Sequence, residues 1–406
     1  MNRPAPVFYG WYVVAATFVV LFGGFGAVYS FGAFVLPLGT EFAVGRAGIA
    51  GVFSSAVFIL FLTGAFSGML ADRIGPRPVI TIGVIAICCG LAGAAMAREF
   101  THVLLCYGVG VGLGVGFVYV PAISAVQPWF DRRRGLASGI AVTGIGVGTL
   151  VMPIVAGHLL GFMSWREVFC VLAAVMLVLG TIAVLVIEND PAARGLAVDG
   201  GLAVGRDASV PRVNEHLRPM LRSRPFILFY CASAILSVPV FIPFVHLVAS
   251  AEDLGIARTQ AVAILGLIGL GSTAGRFIVG GFADRLGRRR ALIGMLGGIG
   301  VAYIAWLTAT GVAMLSVFAF IFGVCYGAYV ALSPALLADY FSGPKLSSVI
   351  GMQYTAAGLG SVLGPVFAGY LFDVTGRYTL ALLVGIACSV VACALVACMP
   401  EPARIR

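Results

Sequence analysis

The chain has 406 residues, 61% of them apolar and only 10% charged, with a net charge of +9 and a mean hydropathy of +1.07. Soluble domains carry roughly 25% charged residues, so a secreted scaffold, a nucleic-acid reader and a cytosolic enzyme are excluded, and the basic balance does not signal nucleic acid. Each bilayer crossing takes about 20 apolar residues, which leaves room for about twelve crossings, short loops and one linker, but for no extramembrane catalytic domain.

The first apolar run, 9–38, is too long for a signal-peptide core and no cleavage site follows it, so it is expected to remain as the first membrane helix. Runs at 47–71, 77–97, 101–128, 135–161 and 166–187 complete a set of six. Residues 188–224 are polar and dotted with Pro191, Pro211 and Pro219, a linker too short to bury a core of its own. A second set follows at 225–250, 259–283, 291–309, 312–338, 346–371 and 378–399. All nine cysteines fall inside apolar runs and read as small core residues. The glycine runs 108–116 and 144–148 also lie inside such runs and fit no nucleotide-binding register, so close helix packing explains them. The predicted fold is an all-α membrane protein of twelve transmembrane helices in two pseudo-symmetric six-helix bundles, 1–187 and 225–406, joined by the linker 188–224.

Lys and Arg in short loops stay on the cytoplasmic side. With both termini inside, nineteen of the 25 cations are cytoplasmic and five, Arg46, Arg98, Arg166, Arg258 and Arg377, are outside. Arg276 belongs to neither set. The expected location is the plasma (inner) membrane, with both termini and the linker in the cytoplasm.

The two halves repeat each other. Asp72-Arg73-Ile74-Gly75 recurs 212 residues on as Asp284-Arg285-Leu286-Gly287, and Gly139, Gly146, Gly148, Pro153 and Gly157 match Gly351, Gly358, Gly360, Pro365 and Gly369 at the same offset. Two parallel repeats of six helices place a binding site between the halves near the bilayer midplane, with access alternating as one half rocks against the other. In each repeated loop the Asp sits at a helix end near Arg side chains. Asp72 with Arg73 and Arg77, and Asp284 with Arg285, Arg288 and Arg289, are expected to form a charge latch that closes the cytoplasmic side in one state.

The stretch Gly68-Met69-Leu70-Ala71-Asp72-Arg73-Ile74-Gly75-Pro76-Arg77 and its copy at 280–289 resemble the signature loop of the major facilitator superfamily. Two further stretches, Tyr9-Gly10-Trp11 and Trp129-Phe130-Asp131-Arg132-Arg133-Arg134-Gly135, are similar to the signatures of the monocarboxylate transporter family and its bacterial relatives, including the oxalate and formate antiporter group. The superfamily resemblance covers all twelve segments; the narrower one rests on these stretches and on Arg276.

Arg276 lies eight positions before Asp284, about 12 Å along a helix whose end is about 15 Å from the midplane. An arginine there costs from about 2.5 to more than 10 kcal/mol unless it faces a wet cavity or a partner. The apolar runs hold no carboxylate deep enough to pair with it. A free guanidinium facing a central cavity suits a carboxylate from outside, held by bidentate charge-assisted hydrogen bonds. Members of the monocarboxylate transporter family are similar here, with a substrate-binding arginine on the eighth helix, a role that the resemblance carries onto Arg276. The animal members also have an acid one turn before that arginine, where this chain has Ser272, and a lysine late in the first helix, where Tyr29 to Phe34 offers none.

Ser272, Thr273 and Gly269 form a small polar face beside Arg276, suited either to the cavity or to helix packing. Tyr119, Tyr326 and Tyr329 can hydrogen-bond a carboxylate while packing against a short alkyl chain. His246, near the outer end of the seventh helix, reads as a proton-transfer group, a substrate contact or an interfacial histidine. No metal-binding cluster, nucleophile elbow or phosphate loop is visible, and no catalytic residue or cofactor is expected. The resemblance implies a monomeric proton-coupled symporter of small monocarboxylates such as lactate or pyruvate, in contact with the lipid bilayer and with no nucleic-acid partner. A carboxylate antiporter of the oxalate/formate type and a non-transporting receptor of the same fold are the alternatives.

Overall fold

The computed structural model describes residues 8–130, 134–188, 190–200, 217–341 and 346–401. Among them, twelve helices are long and apolar enough to cross a membrane. In the first half these are α1 (Gly10–Phe42), α2 (Arg46–Ile74), α3 (Pro76–Ala95), α4 (Phe100–Trp129), α5 (Arg134–Leu159) and α6 (Trp165–Val186). The second half holds α7 (Arg224–Asp253), α8 (Arg258–Leu286), α9 (Arg288–Leu307), α10 (Val312–Tyr340), α11 (Leu346–Thr375) and α12 (Thr379–Ala397). The chain is an all-α, multi-pass membrane protein.

Packing inside one half is copied in the other. α1 packs on α5 and α6, α2 on α4, and α3 on α4 and α6; likewise α7 packs on α11 and α12, α8 on α10, and α9 on α10 and α12. The halves meet along two symmetry-related seams, α2 against α11 and α5 against α8. Large apolar side chains such as Leu62, Phe66, Ile85, Leu177, Leu185 and Val390 stay exposed, as a surface solvated by lipid requires.

Helix breakers are tolerated inside these helices because a membrane protein can satisfy the freed backbone internally. Pro243 lacks an N–H, so the Pro239 carbonyl loses its helical donor; the buried Tyr303 hydroxyl of α9 donates to it instead.

The two stretches that carry the family resemblance come together at one end of the first half. The Tyr9 and Trp129 rings lie 5.4 Å apart, and those of Trp11 and Phe130 lie 4.9 Å apart. Tyr9 Oη donates to the Val186 carbonyl at 2.8 Å, Trp129 Nε1 to the Glu188 carbonyl at 3.3 Å, and Arg194 stacks on the Tyr9 ring at 3.7 Å. The cluster thus ties the start of α1 to the end of α4 and to the first turn of the linker. A Cβ at Gly10 would stand 3.0 Å from the Phe130 ring and 2.5 Å from that of Phe8, so a larger residue there must displace these rings. Gly10→Val is expected to cost about 1–3 kcal/mol, seen as a lowered Tm of the detergent-purified protein; an unchanged Tm would show that the cluster yields without strain.

Candidate functional site

Between the halves, at the level where α1, α4 and α5 face α7, α8, α10 and α11, lies a cavity of about 60 Å³. One water occupies about 10–15 Å³ on this measure, so the space suits a molecule of about half a dozen heavy atoms. Phe25, Phe61, Phe241 and Val240 supply apolar walls. The polar lining consists of Tyr29, Tyr119, Tyr326, Tyr329, Tyr354, Gln353, Ser237 and Ser333, and Arg276 is the one charged side chain among the lining residues.

Backbone proximity puts Arg276 there. A Cβ at Gly275 would stand 2.1 Å from the Val324 carbonyl, and one at Gly327 would stand 2.1 Å from the Ser272 carbonyl. Only glycine permits α8 and α10 to touch along their backbones in this way, which fixes the turn that carries Arg276. Its Nη1 crosses the seam and donates to the Val142 carbonyl of α5 at 3.0 Å, while Nε is buried without a hydrogen-bond partner among the described residues. Among the described residues, no acid lines the cavity. The guanidinium therefore has a neutral partner for one nitrogen and further donors to offer an anion.

The tyrosines predicted from sequence converge on this cavity. Tyr119, Tyr326 and Tyr329 all line it, and Tyr326 Oη lies 3.4 Å from Tyr29 Oη of the opposite half. Ser272 and His246 take other positions. Ser272 is buried under Gly327 on the α8–α10 contact, and Thr273 fills the space beside Gly146 of α5, so the small polar face packs helices rather than lining the cavity. His246 is fully buried beside Tyr378, outside the cavity lining. Tyr29, Tyr354 and Gln353 were missed. Gln353 carries the plainest signal, an amide in an apolar run, and its Nε2 donates to Ser233 Oγ.

The Major Facilitator Superfamily sequence pattern matches residues 14–249 and again 227–405. The chain belongs to this superfamily. It is therefore a membrane transporter and not an enzyme. Monocarboxylate transporter 13 of Bos taurus is 27% identical over 387 residues, covering 93% of this chain and 86% of that protein. MFS-type transporter 1 of Ophiocordyceps sp. (strain BCC 1869) is 27% identical over 91% of this chain and 80% of its own length. The fold matches a bacterial homologue of the human lysosomal transporter Spinster in an inward-facing, unoccupied conformation, with a TM-score of 0.76 at 18% identity over 98% of this chain and 96% of that one.

In this superfamily member the charge latch expected at the loops after α2 and α8 involves the Asp72, Asp284 and Arg285 side chains, which lie outside the described residues. Among the described residues, three of the cations beside them have partners in their own half. Arg77 lies 3.7 Å from Glu188, Arg288 pairs with Asp339 at 2.7 Å, Arg289 donates to the Val396 and Ala397 carbonyls, and Arg73 is exposed. Among the described residues, an ion pair between the halves is seen at the opposite end. Arg46 at the start of α2 makes a bidentate pair with Asp253 at the end of α7, at 2.6 and 2.7 Å, and donates to Tyr378 Oη at 2.6 Å. Asp373 of α11 accepts the backbone N–H groups of Arg46 and Ala47 at 2.9 and 3.0 Å, capping α2 from the other half. Sequence reasoning used Arg46 only as a topology signal, because a loop charge does not reveal a partner 207 residues away.

Proposed function

We propose that this protein carries a small monocarboxylate of the lactate and pyruvate class across the plasma (inner) membrane together with a proton, its halves rocking about the Arg276 cavity. The observation that carries this reading is a small cavity whose lining, among the described residues, holds one cation and no acid. One guanidinium can neutralise one carboxylate bidentately, and the tyrosine hydroxyls and phenylalanine faces suit what remains of lactate or pyruvate, a methyl and one small polar group. An anion moving alone against a negative-inside potential pays about 2.3 kcal/mol per 100 mV; a proton travelling on the substrate removes that cost. The similarity to monocarboxylate transporter 13 supports the substrate class.

Dicarboxylate exchange is the second reading, and the lining argues against it. Oxalate-type relatives carry a basic residue on the eleventh helix, and the corresponding Ala357 here borders the cavity without any charge. A second carboxylate would stand unpaired in a weakly hydrated space, at a cost of several kcal/mol. Unlabelled lactate and pyruvate are therefore expected to compete for uptake in proteoliposomes, with oxalate and succinate at least tenfold weaker. Oxalate competing as well as lactate would favour the antiporter reading. Ala357→Lys is expected to lower lactate uptake at least tenfold by placing a second cation in the cavity; unchanged uptake would show that the lysine does not reach it.

The orientation follows the cation asymmetry. A single cysteine at position 200 is expected to resist a membrane-impermeant maleimide in intact cells and to react after permeabilisation. Labelling from outside would reverse the topology.

A further inference from the structure

We propose that His246 is a proton-binding site that controls the Arg46–Asp253 latch, so that the end of the transporter bearing Arg46 closes only when this histidine is neutral. The proposal rests on the alternating-access reading above and not on the identity of the substrate.

Hydrogen-bond direction carries it. His246 Nε2 lies 2.8 Å from the Pro365 carbonyl, which can only accept, so Nε2 bears the hydrogen. Arg46 can only donate, so the Tyr378 oxygen accepts from it at 2.6 Å. The hydroxyl hydrogen of Tyr378 is then free for His246 Nδ1, 3.1 Å away, which accepts it in the neutral Nε2–H tautomer. The chain runs one way, from Arg46 through Tyr378 and His246 to Pro365, and is complete only with the neutral Nε2–H tautomer. A proton on Nδ1 turns that atom into a donor. Two cationic groups would then donate to one phenol oxygen, and the phenol hydrogen would lose its acceptor inside a buried cluster, where an unmade hydrogen bond is costly.

The surroundings make a proton acceptable in a state where Arg46 has moved away. Among the described residues, the charged and titratable groups that act on His246 are Tyr378 before α12, Arg46 on α2 and Asp373 on α11, with Asp253 on its own helix held beyond them by Arg46. At the rim, Glu252 is taken by Arg258 of α8 at 2.7 Å, and Glu41 of α1 by Arg166 and Trp165. With the latch closed, Arg46 neutralises Asp253 and its backbone occupies Asp373. Opening removes the Arg46 cation and leaves the Asp373 carboxylate uncompensated near the imidazole, which favours its charged form. Protonation and opening thus reinforce each other.

The test needs no substrate. In a cysteine-substituted background reconstituted in nanodiscs, spin labels at Ala43 and Arg377 report the separation of the halves at this end by pulsed electron resonance. Lowering the pH should raise the open-to-closed ratio, by up to about tenfold per pH unit for a single linked proton. His246→Gln keeps an acceptor for Tyr378 and a donor for Pro365 but cannot take up a proton, so its ratio should stay closed and flat across the same range. A wild-type ratio indifferent to pH would overturn the proposal, and so would an undiminished response in His246→Gln, which would assign the titration to Asp253 or Asp373. Loss of lactate uptake with the pH response intact would instead count against the substrate reading alone.

Discussion

Arg276→Ala and Arg276→Lys are expected to reduce lactate uptake at least about 100-fold without loss of folded protein. Truncating one partner of a buried, hydrogen-bonded charge pair costs about 2–5 kcal/mol, and each 1.4 kcal/mol is a factor of about ten. Lysine keeps the charge but lacks the planar fork that meets both carboxylate oxygens. The stability side has the opposite sign. Arg276 is a deep charge whose described partner is the neutral Val142 carbonyl, and among the described residues its Nε makes no hydrogen bond. Removing it relieves desolvation rather than breaking an ion pair. The Ala variant should therefore melt at the same temperature as the parent or higher, and show none of the Tm rise that lactate is expected to give the parent. A variant that binds lactate normally would remove Arg276 from the site; one that fails to fold would make the residue structural.

Gly327→Ala is the second large effect expected, because one methyl group lands on backbone. Its Cβ would stand 2.1 Å from the Ser272 carbonyl oxygen and 2.6 Å from the carbonyl carbon and Cα, atoms that no rotamer change can move. Ordinary contact requires α8 to retreat from α10, and Arg276 sits one turn beyond Ser272. Lactate binding should fall at least tenfold, and Gly327→Val should abolish folded expression, since overpacking a tight contact costs about 1–3 kcal/mol or more per step. Gly351→Ala supplies the control: nothing lies within 4 Å of its Cβ, and alanine is the better helix former by about 1 kcal/mol. Equal behaviour of the two variants would show that the α8–α10 contact adapts.

The twelve crossings were legible because a bilayer imposes its own length on each apolar run, and the duplication because Asp72 and Asp284 keep a fixed offset. Arg276 was legible for a related reason: a charge inside an apolar run has few physical explanations. Its small neighbours were not. Ser272 and Thr273 are polar and compact, properties that suit a wet cavity and a tight helix seam equally, and only the Ser272 backbone against Gly327 and the Thr273 hydroxyl against Gly146 decide for the seam. Gln353 and Tyr354 escaped notice although a glutamine in an apolar run bears the same kind of signal as Arg276, in weaker form. The Arg46 cluster was illegible in principle. Its members come from α2, α7, α11 and the turn before α12, and each alone reads as an ordinary loop charge or an interfacial tyrosine. The partnership exists only once α2 packs along α11.

The most direct test of the central claim is lactate uptake into proteoliposomes with an imposed pH gradient. With acid outside and no anion inside, uptake should rise above that at equal pH and collapse when a protonophore dissipates the gradient. Uptake indifferent to the gradient but dependent on a preloaded exchangeable anion would contradict proton-coupled monocarboxylate transport and establish exchange in its place.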